Sequence, residues 1–281
     1  MKNPRLSLTV FALTMLPIAI AVVIVRWNAI PTARAQSTAS SVTLPPAQTV
    51  ELREVVWKAG ARPSLSFERT LAIRADGSLY QYDRYHRLGP ATGNDAISAP
   101  GIAYSQTLLS LKGGIRAEIA NEVRTMSVIR GGNVDARRRA ERWDPGKGCA
   151  VRFDGYRGSY SAPVWEHWLG FEVVKLVEDD QAAEISVWRA PALGCTELRR
   201  LAEFRGPDGR ITEESELRAV SVVVGEPDSR LWQIPADFEN VPFSEKLRRQ
   251  AAARGGTVDG ATLALLGPAD QAFRKARYDG Q

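Results

Sequence analysis

The feature that most constrains the fold is a succession of strand-length segments joined by short turns, with no intervening helix of crossover length. Leu65, Phe67, Leu71 and Ile73 alternate with Ser66, Glu68, Thr70, Ala72 and Arg74, a period of two broken only at Arg69. Asp76-Gly77 follows, the dipeptide favoured in a two-residue type I′ turn because both positions need positive φ. Leu79-Tyr80-Gln81-Tyr82 then returns as the second strand of a hairpin. Phe171–Val177, Glu184–Trp188, Cys195–Phe204 and the long stretch Arg210–Val224 repeat the pattern, with turns at Glu178–Gln181 and Gly206–Gly209. Parallel pairing needs a crossover of a dozen or more residues, so this spacing predicts an antiparallel meander. Leu217–Val224 is the most continuously apolar stretch and is expected at the sheet centre. Residues 114–129 carry helical spacing (Ile115, Ile119, Val123, Met126) but end in the β-rich TMSVI, and we read them as strands.

A flat sheet of about ten strands is unfavourable, so the meander should curl. The expected fold is α+β, mainly an antiparallel β meander curled into an incomplete barrel, with one or two short helices. Helical composition occurs at Val134–Trp143, which stops at Asp144-Pro145, and in the tail at Ser244–Arg254 and Pro268–Tyr278. The chain divides into an export signal or membrane anchor (1–35), a polar Ser/Thr/Pro/Ala linker (36–49), the β domain (50–243) and a basic tail (244–281).

The first of these segments sets the compartment. Residues 6–25 form an uncharged, almost wholly apolar run behind Lys2 and Arg5, closed by Arg26. At 1.5 Å per residue a run of this length spans about 30 Å, enough for a bilayer core. Ala33-Arg34-Ala35 also offers a signal-cleavage pattern, so anchor and cleaved signal both stand. Either way the basic N-terminal flank stays cytoplasmic and the remainder is expected on the periplasmic side of the inner membrane, anchored or released. The membrane is a partner through residues 6–25 if they remain attached.

Export changes how charge and cysteine are read. The whole chain is +5, but Lys2, Arg5, Arg26 and Arg34 all lie within residues 1–35, which hold no acid. Beyond residue 35 the balance is 33 basic to 32 acidic residues, a net +1. A near-neutral exported part has no general basic footprint, so nucleic acid is not an expected partner. Cys149 and Cys195 are the two cysteines, and an even count in an oxidising compartment favours one disulfide over two buried thiols.

Motifs for catalysis are absent. G-x-S-x-G, the Walker A pattern, G-x-G-x-x-G, H-E-x-x-H and S-x-x-K do not occur, and His86 and His167 are the only histidines. No metal site or cofactor is expected, and the reading leans away from an enzyme. Trp165, Trp168, Trp188 and Trp232 are candidate pocket-lining residues. The structural expectation for the Trp165-Glu166-His167-Trp168 cluster is aromatics that cap the mouth or core of a sheet.

Trp188-Arg-Ala-Pro191-Ala-Leu-Gly194-Cys195, Gly225-Glu-Pro-Asp228 and Leu231-Trp-Gln-Ile-Pro235 together resemble a group of uncharacterised exported bacterial proteins with WxAPxLGC and GEPDxxLWxIP motifs. In that resemblance the Trp143-Asp144-Pro145 stretch leading to Cys149 is the partner-cysteine region. The closing arrangement is also loosely similar to the lipoprotein-carrier-like superfamily, which implies helices against the concave face of an incomplete barrel around an apolar cavity. The implied function is an exported cell-envelope protein that binds a hydrophobic ligand or lipidated partner in a β concavity. A membrane-held scaffold and a hydrolase without a recognisable motif are the alternatives.

Overall fold

The computed structural model describes residues 44–60, 63–86, 102–130, 149, 164–180 and 183–278. The expected export segment, most of the linker and the expected helix at 134–143 lie outside these residues. Among the described residues, twelve strands form one sheet in the order β12-β6-β5-β4-β3-β2-β1-β11-β10-β9-β8-β7. One meander comprises β1 (Gln48–Lys58), β2 (Ser64–Ile73), β3 (Leu79–His86), β4 (Ile102–Leu111), β5 (Ile115–Ala120) and β6 (Thr125–Ile129). A second comprises β7 (Val164–Trp168), β8 (Phe171–Asp180), β9 (Ala183–Ala190), β10 (Thr196–Arg205) and β11 (Ile211–Val224). The two are stitched where β1 pairs antiparallel with β11, Gln48 opposite Val224 and Lys58 opposite Glu213. The fold is the expected α+β class, an antiparallel sheet that is curled but not closed. The exception to antiparallel pairing is β12 (Glu239–Asn240), which lies parallel to β6.

Local turn chemistry differs from the sequence reading in an instructive way. Between β2 and β3 the Gly77 N–H donates to Arg74 O (2.9 Å) and the Arg74 N–H to Ser78 O (2.9 Å), while only Gly77 has positive φ (82°). This is a three-residue loop, a type I turn followed by a glycine bulge, rather than a two-residue type I′ turn. The Asp76 carboxylate accepts from the Ser78 N–H (2.8 Å), which a type I geometry permits without placing Asp76 itself in the left-handed region. Pro207-Asp208-Gly209 between β10 and β11 is built the same way, with Gly209 at φ 75°. The type I′ turn occurs instead at Leu169-Gly170, where both φ values are positive (49° and 81°) and Trp168 faces Phe171. Leucine there gave no turn signal, because its side chain ordinarily disfavours that conformation.

The expected central strand Leu217–Val224 is indeed interior, flanked by β1 and β10, and bulges where Glu51 and Leu52 face Ser221 and Ala219. Its end is less buried than its composition implied, since Val223 and Val224 remain mostly exposed. Leu231, Trp232, Ile234 and Phe238 follow and pack on Ala72, Tyr80, Leu109, Ala117 and Ile119. That docking seals one face of β2–β6. Helix α1 (Phe243–Ala253), α2 (Gly260–Leu265) and α3 (Gly267–Tyr278) come next. Phe243, Leu266 and Phe273 form a shared core with Ile129 of β6, so these helices pack directly on the sheet. The Asp270 carboxylate of α3 accepts from the Ser244 N–H (3.1 Å), satisfying a donor in the first turn of α1.

Cys149 and Cys195 are joined, with Cα atoms 5.5 Å apart, and pack against Val174 and Leu176 of β8. The bond spans 46 residues. In the chain-entropy picture a loop of that size is worth about 4 kcal/mol. Cys149→Ala with Cys195→Ala is expected to lower the urea unfolding free energy by about that amount with an unchanged far-UV spectrum. A loss under about 1 kcal/mol would show that the unfolded chain is not what the bond constrains.

Candidate functional site

Curling brings distant strands together over one face of the sheet. Leu52 of β1, Arg69 and Leu71 of β2, Gln81 of β3 and Leu217 of β11 share that face by register. They line a cavity of about 300 Å³ whose opposite wall is Arg189 of β9 with Thr196, Glu197 and Arg200 of β10. One end is formed by Gly77 and Leu79 of the β2–β3 hairpin, the turn residues Gly194 and Cys195, and the arm residues Leu44 and Pro45. The disulfide therefore sits in the rim of the cavity.

The walls are of two kinds. Leu44, Leu52, Leu71, Ile73, Leu79 and Leu217 supply aliphatic surface, and the remainder is polar and charged. Asp83, almost fully buried, receives a bidentate contact from Arg69, Nε to Oδ1 at 2.7 Å and Nη2 to Oδ2 at 2.9 Å. Gln81 Nε2 donates to the same carboxylate at 2.8 Å. Across the cavity Glu197 lies 2.9 Å from Arg200 Nη2 and 3.7 Å from Arg189 Nη2. Burial pushes the Glu197 carboxyl up, but Arg200, Arg189 and Arg69 outweigh it and hold the group below its ordinary value. Arg69 and Glu197 sense each other's charge although β1 and β11 separate their strands. Paired charges thus line both walls of the concavity, and the expected apolar cavity gives way to an aliphatic floor between them.

Beyond β3 the same face is occupied by α1. Lys246 Nζ lies 2.8 Å from Glu118 Oε2 of β5, whose other oxygen meets Arg116, and Arg254 stacks 4.3 Å over the Tyr104 ring. A second space of about 30 Å³, between Tyr104, Gln106, Glu118 and α1, is too small for more than a water. Burial would raise the Glu118 carboxyl, yet Lys246 and Arg116 bring it down to about 2.

The tryptophans stand apart from this cavity, and none of the four is in its lining. Trp188 is buried on β9, donates from Nε1 to Glu166 Oε2 at 2.7 Å, and has Arg199 at 4.4 Å and Lys175 at 5.0 Å from its ring. Arg199 also approaches Trp168 at 5.3 Å, so β7 to β10 gather two of the four. Trp165 is half exposed on the edge strand β7. Trp232 meets Tyr80 edge-on at 6.3 Å in the cluster under residues 231–238. His86 Nε2 lies 3.1 Å from Glu68 Oε2, in a cross-strand ladder with Arg53 and Arg84, and His167 faces Glu172 on the other side of the sheet order. The residues that sequence reasoning missed are Arg69, Glu197 and Arg200. Arg69 had left a trace, since it breaks the alternation of β2 by placing a charge on the inward face.

No protein-family model and no curated protein matches the chain. Similar solved structures include the Pseudomonas aeruginosa MucA/MucB complex, at 14% identity over 70% of this chain and 59% of the matched chain, with a TM-score of 0.33. A LolA-superfamily protein of Nitrosomonas europaea aligns at 11% identity over 68% of this chain and 91% of its own, TM-score 0.26. A DUF1329-family protein of Desulfovibrio piger aligns at 10% over 70% and 93%, TM-score 0.29. The chain thus spans less than two thirds of the matched chain in the MucA/MucB complex. At these identities and scores no ligand and no residue role is carried across.

The Glu118 pair makes a pH prediction. Its carboxyl is depressed in the folded state, so its stabilisation is complete above the ordinary carboxylate range and is lost as pH falls through about 2. Lys246→Met removes a partner and should cost about 3–5 kcal/mol near neutral pH. The gap between wild type and variant in urea titrations should then narrow steadily as pH falls from about 5 toward 2. A gap independent of pH would show that Lys246 contributes through packing alone.

Proposed function

We propose that the protein is an exported cell-envelope protein that holds a hydrophobic ligand, or the lipid or apolar part of a partner, in the concave cavity of its sheet. The observation that carries the reading is the cavity itself: about 300 Å³ of space over Leu52, Leu71, Ile73, Leu79 and Leu217. A scaffold that works through its outer surface needs no such space. The apolar run at 6–25 supports the envelope location, with the described sheet on the periplasmic side of the inner membrane.

Size narrows the ligand. The volume lies at the lower end for small-molecule sites and equals about ten waters at roughly 30 Å³ each. It accommodates one short acyl chain or a few apolar side chains, and not a lipid with several chains. Burying about ten methylenes would supply on the order of 8 kcal/mol before association costs, enough for a reversible carrier and too little for permanent capture.

Native mass spectrometry of protein purified without detergent is expected to show a bound single-chain species that delipidation removes. Leu71→Trp, which fills the floor, should weaken binding of the apolar probe 1-N-phenylnaphthylamine by about tenfold or more, equivalent to about 1.4 kcal/mol, with the melting temperature little changed. Retained affinity in a folded Leu71→Trp protein would end the cavity reading.

A further inference from the structure

The arm that leads into β1 is built unlike anything else at the cavity rim. Leu44 and Pro45 form part of the cavity wall, so the chain connecting the sheet to residues 1–43 passes over the ligand space. Pro45 and Pro46 have no backbone N–H and cannot extend the β1 ladder in either direction. The arm is a short, stiff, unladdered piece whose last residue, Ala47, accepts one hydrogen bond from the Gly225 N–H (2.8 Å). Its seat is Gly194. A Cβ on that residue would fall 2.8 Å from Pro45 Cα and closer still to the Pro45 ring, so the contact exists only because Gly194 has no side chain.

The surface under the arm is fixed, in contrast. The turn from Pro191 to Thr196 is anchored by the Cys149–Cys195 bond and by a Cys195 N–H to Ala190 O bond of 2.9 Å. Gln48, fully buried, donates from Nε2 to Leu193 O and to Thr196 Oγ1, both at 3.0 Å. Among the described residues its Oε1 has no partner, so the junction between arm and turn is left with an unmet acceptor. A rigid, cross-linked rim thus faces a segment that, among the described residues, is held by one backbone hydrogen bond and a close contact at Gly194, with the anchored Gln48 marking where its freedom ends.

We infer that residues 44–47 act as a strap that closes the mouth of the cavity, seated at Gly194 and released by lifting away ahead of Gln48, which stays anchored in β1 and to the turn. As a statement about ligand exchange this rests on the proposed binding function; as a statement about access to the cavity it does not.

The test uses the full chain and two variants. Gly194→Asn adds a Cβ at the seat while tolerating the left-handed backbone there, φ 64°. Pro45→Gly/Pro46→Gly changes only the arm and leaves the turn intact. Stopped-flow release of 1-N-phenylnaphthylamine is expected to quicken about tenfold in both, as for loss of one modest contact. Two readouts need no ligand: amide exchange at Gly225 and the rate at which phosphine reductant opens Cys149–Cys195 should both rise. If the wild type takes up no probe but exchange and reduction still rise in the variants, the strap stands and the binding function falls. Unchanged Gly225 exchange, reduction and release in both folded variants would overturn the strap.

Discussion

Everything in this molecule depends on the pairing of β1 with β11. Residues near 50 meet residues near 220, and that single antiparallel ladder joins two meanders that would otherwise be independent sheets. Because β1 also pairs with β2, one strand carries the load of both halves. Long-range pairing of this kind must overcome loop-closure entropy before it returns any stability. Val50 and Leu52, both almost fully buried, provide the return by packing with Leu217 and Ala219 across the seam. The cavity is a consequence. Its floor is the seam, and its two walls are one strand pair from each meander.

A concavity between two walls invites collapse, and the charges explain why this one stays open. An aliphatic pocket of its size could shrink if the opposing side chains packed together. Here Arg69, Arg189 and Arg200 stand opposite or beside Asp83 and Glu197, and each holds a partner at hydrogen-bond or ion-pair distance. Paired guanidinium and carboxylate groups keep a fixed geometry and cannot interleave as aliphatic side chains do, so the walls keep their distance around an aliphatic floor. The same device fixes α1, whose docking on β5 runs through Lys246 and Glu118 as well as through Phe243. Polar contacts under a helix specify one position more sharply than an apolar face does.

Much of this architecture was legible in the sequence because period-two alternation and Gly-containing turns report directly on strands. The hairpin at 65–82, the strand reading of 114–129 and the interior place of Leu217–Val224 all follow from local pattern. The Cys149–Cys195 bond followed from compartment and even count. The cavity did not, for a physical reason. It is made of residues from β1, β2, β3, β9, β10 and β11 that meet only after the sheet has curled, and curvature is set by bulges such as the one at Glu51 and Leu52 rather than by composition. Tryptophan drew attention as a pocket former because it is large and amphipathic, yet Trp188 and Trp232 are used for packing against cations and rings. The residues that do line the site are common arginines, leucines and a glycine.

The motif Trp188-Arg-Ala-Pro191-Ala-Leu-Gly194-Cys195 acquires a meaning it lacked as a string. Trp188 and Arg189 are adjacent on a strand and so face opposite ways, the tryptophan to Glu166 and the arginine to Glu197 in the cavity wall. Pro191 starts a short 3-10 turn where its missing N–H costs nothing, and Leu193 buries beneath it. Gly194 ends the turn in the left-handed conformation and clears space for Pro45. Cys195, also left-handed, then aims its sulfur at Cys149. Eight consecutive residues therefore end one strand, build a rim and lock it. No residue in the segment need carry out chemistry for its pattern to be required, because each answers a separate geometric demand of a single cavity edge.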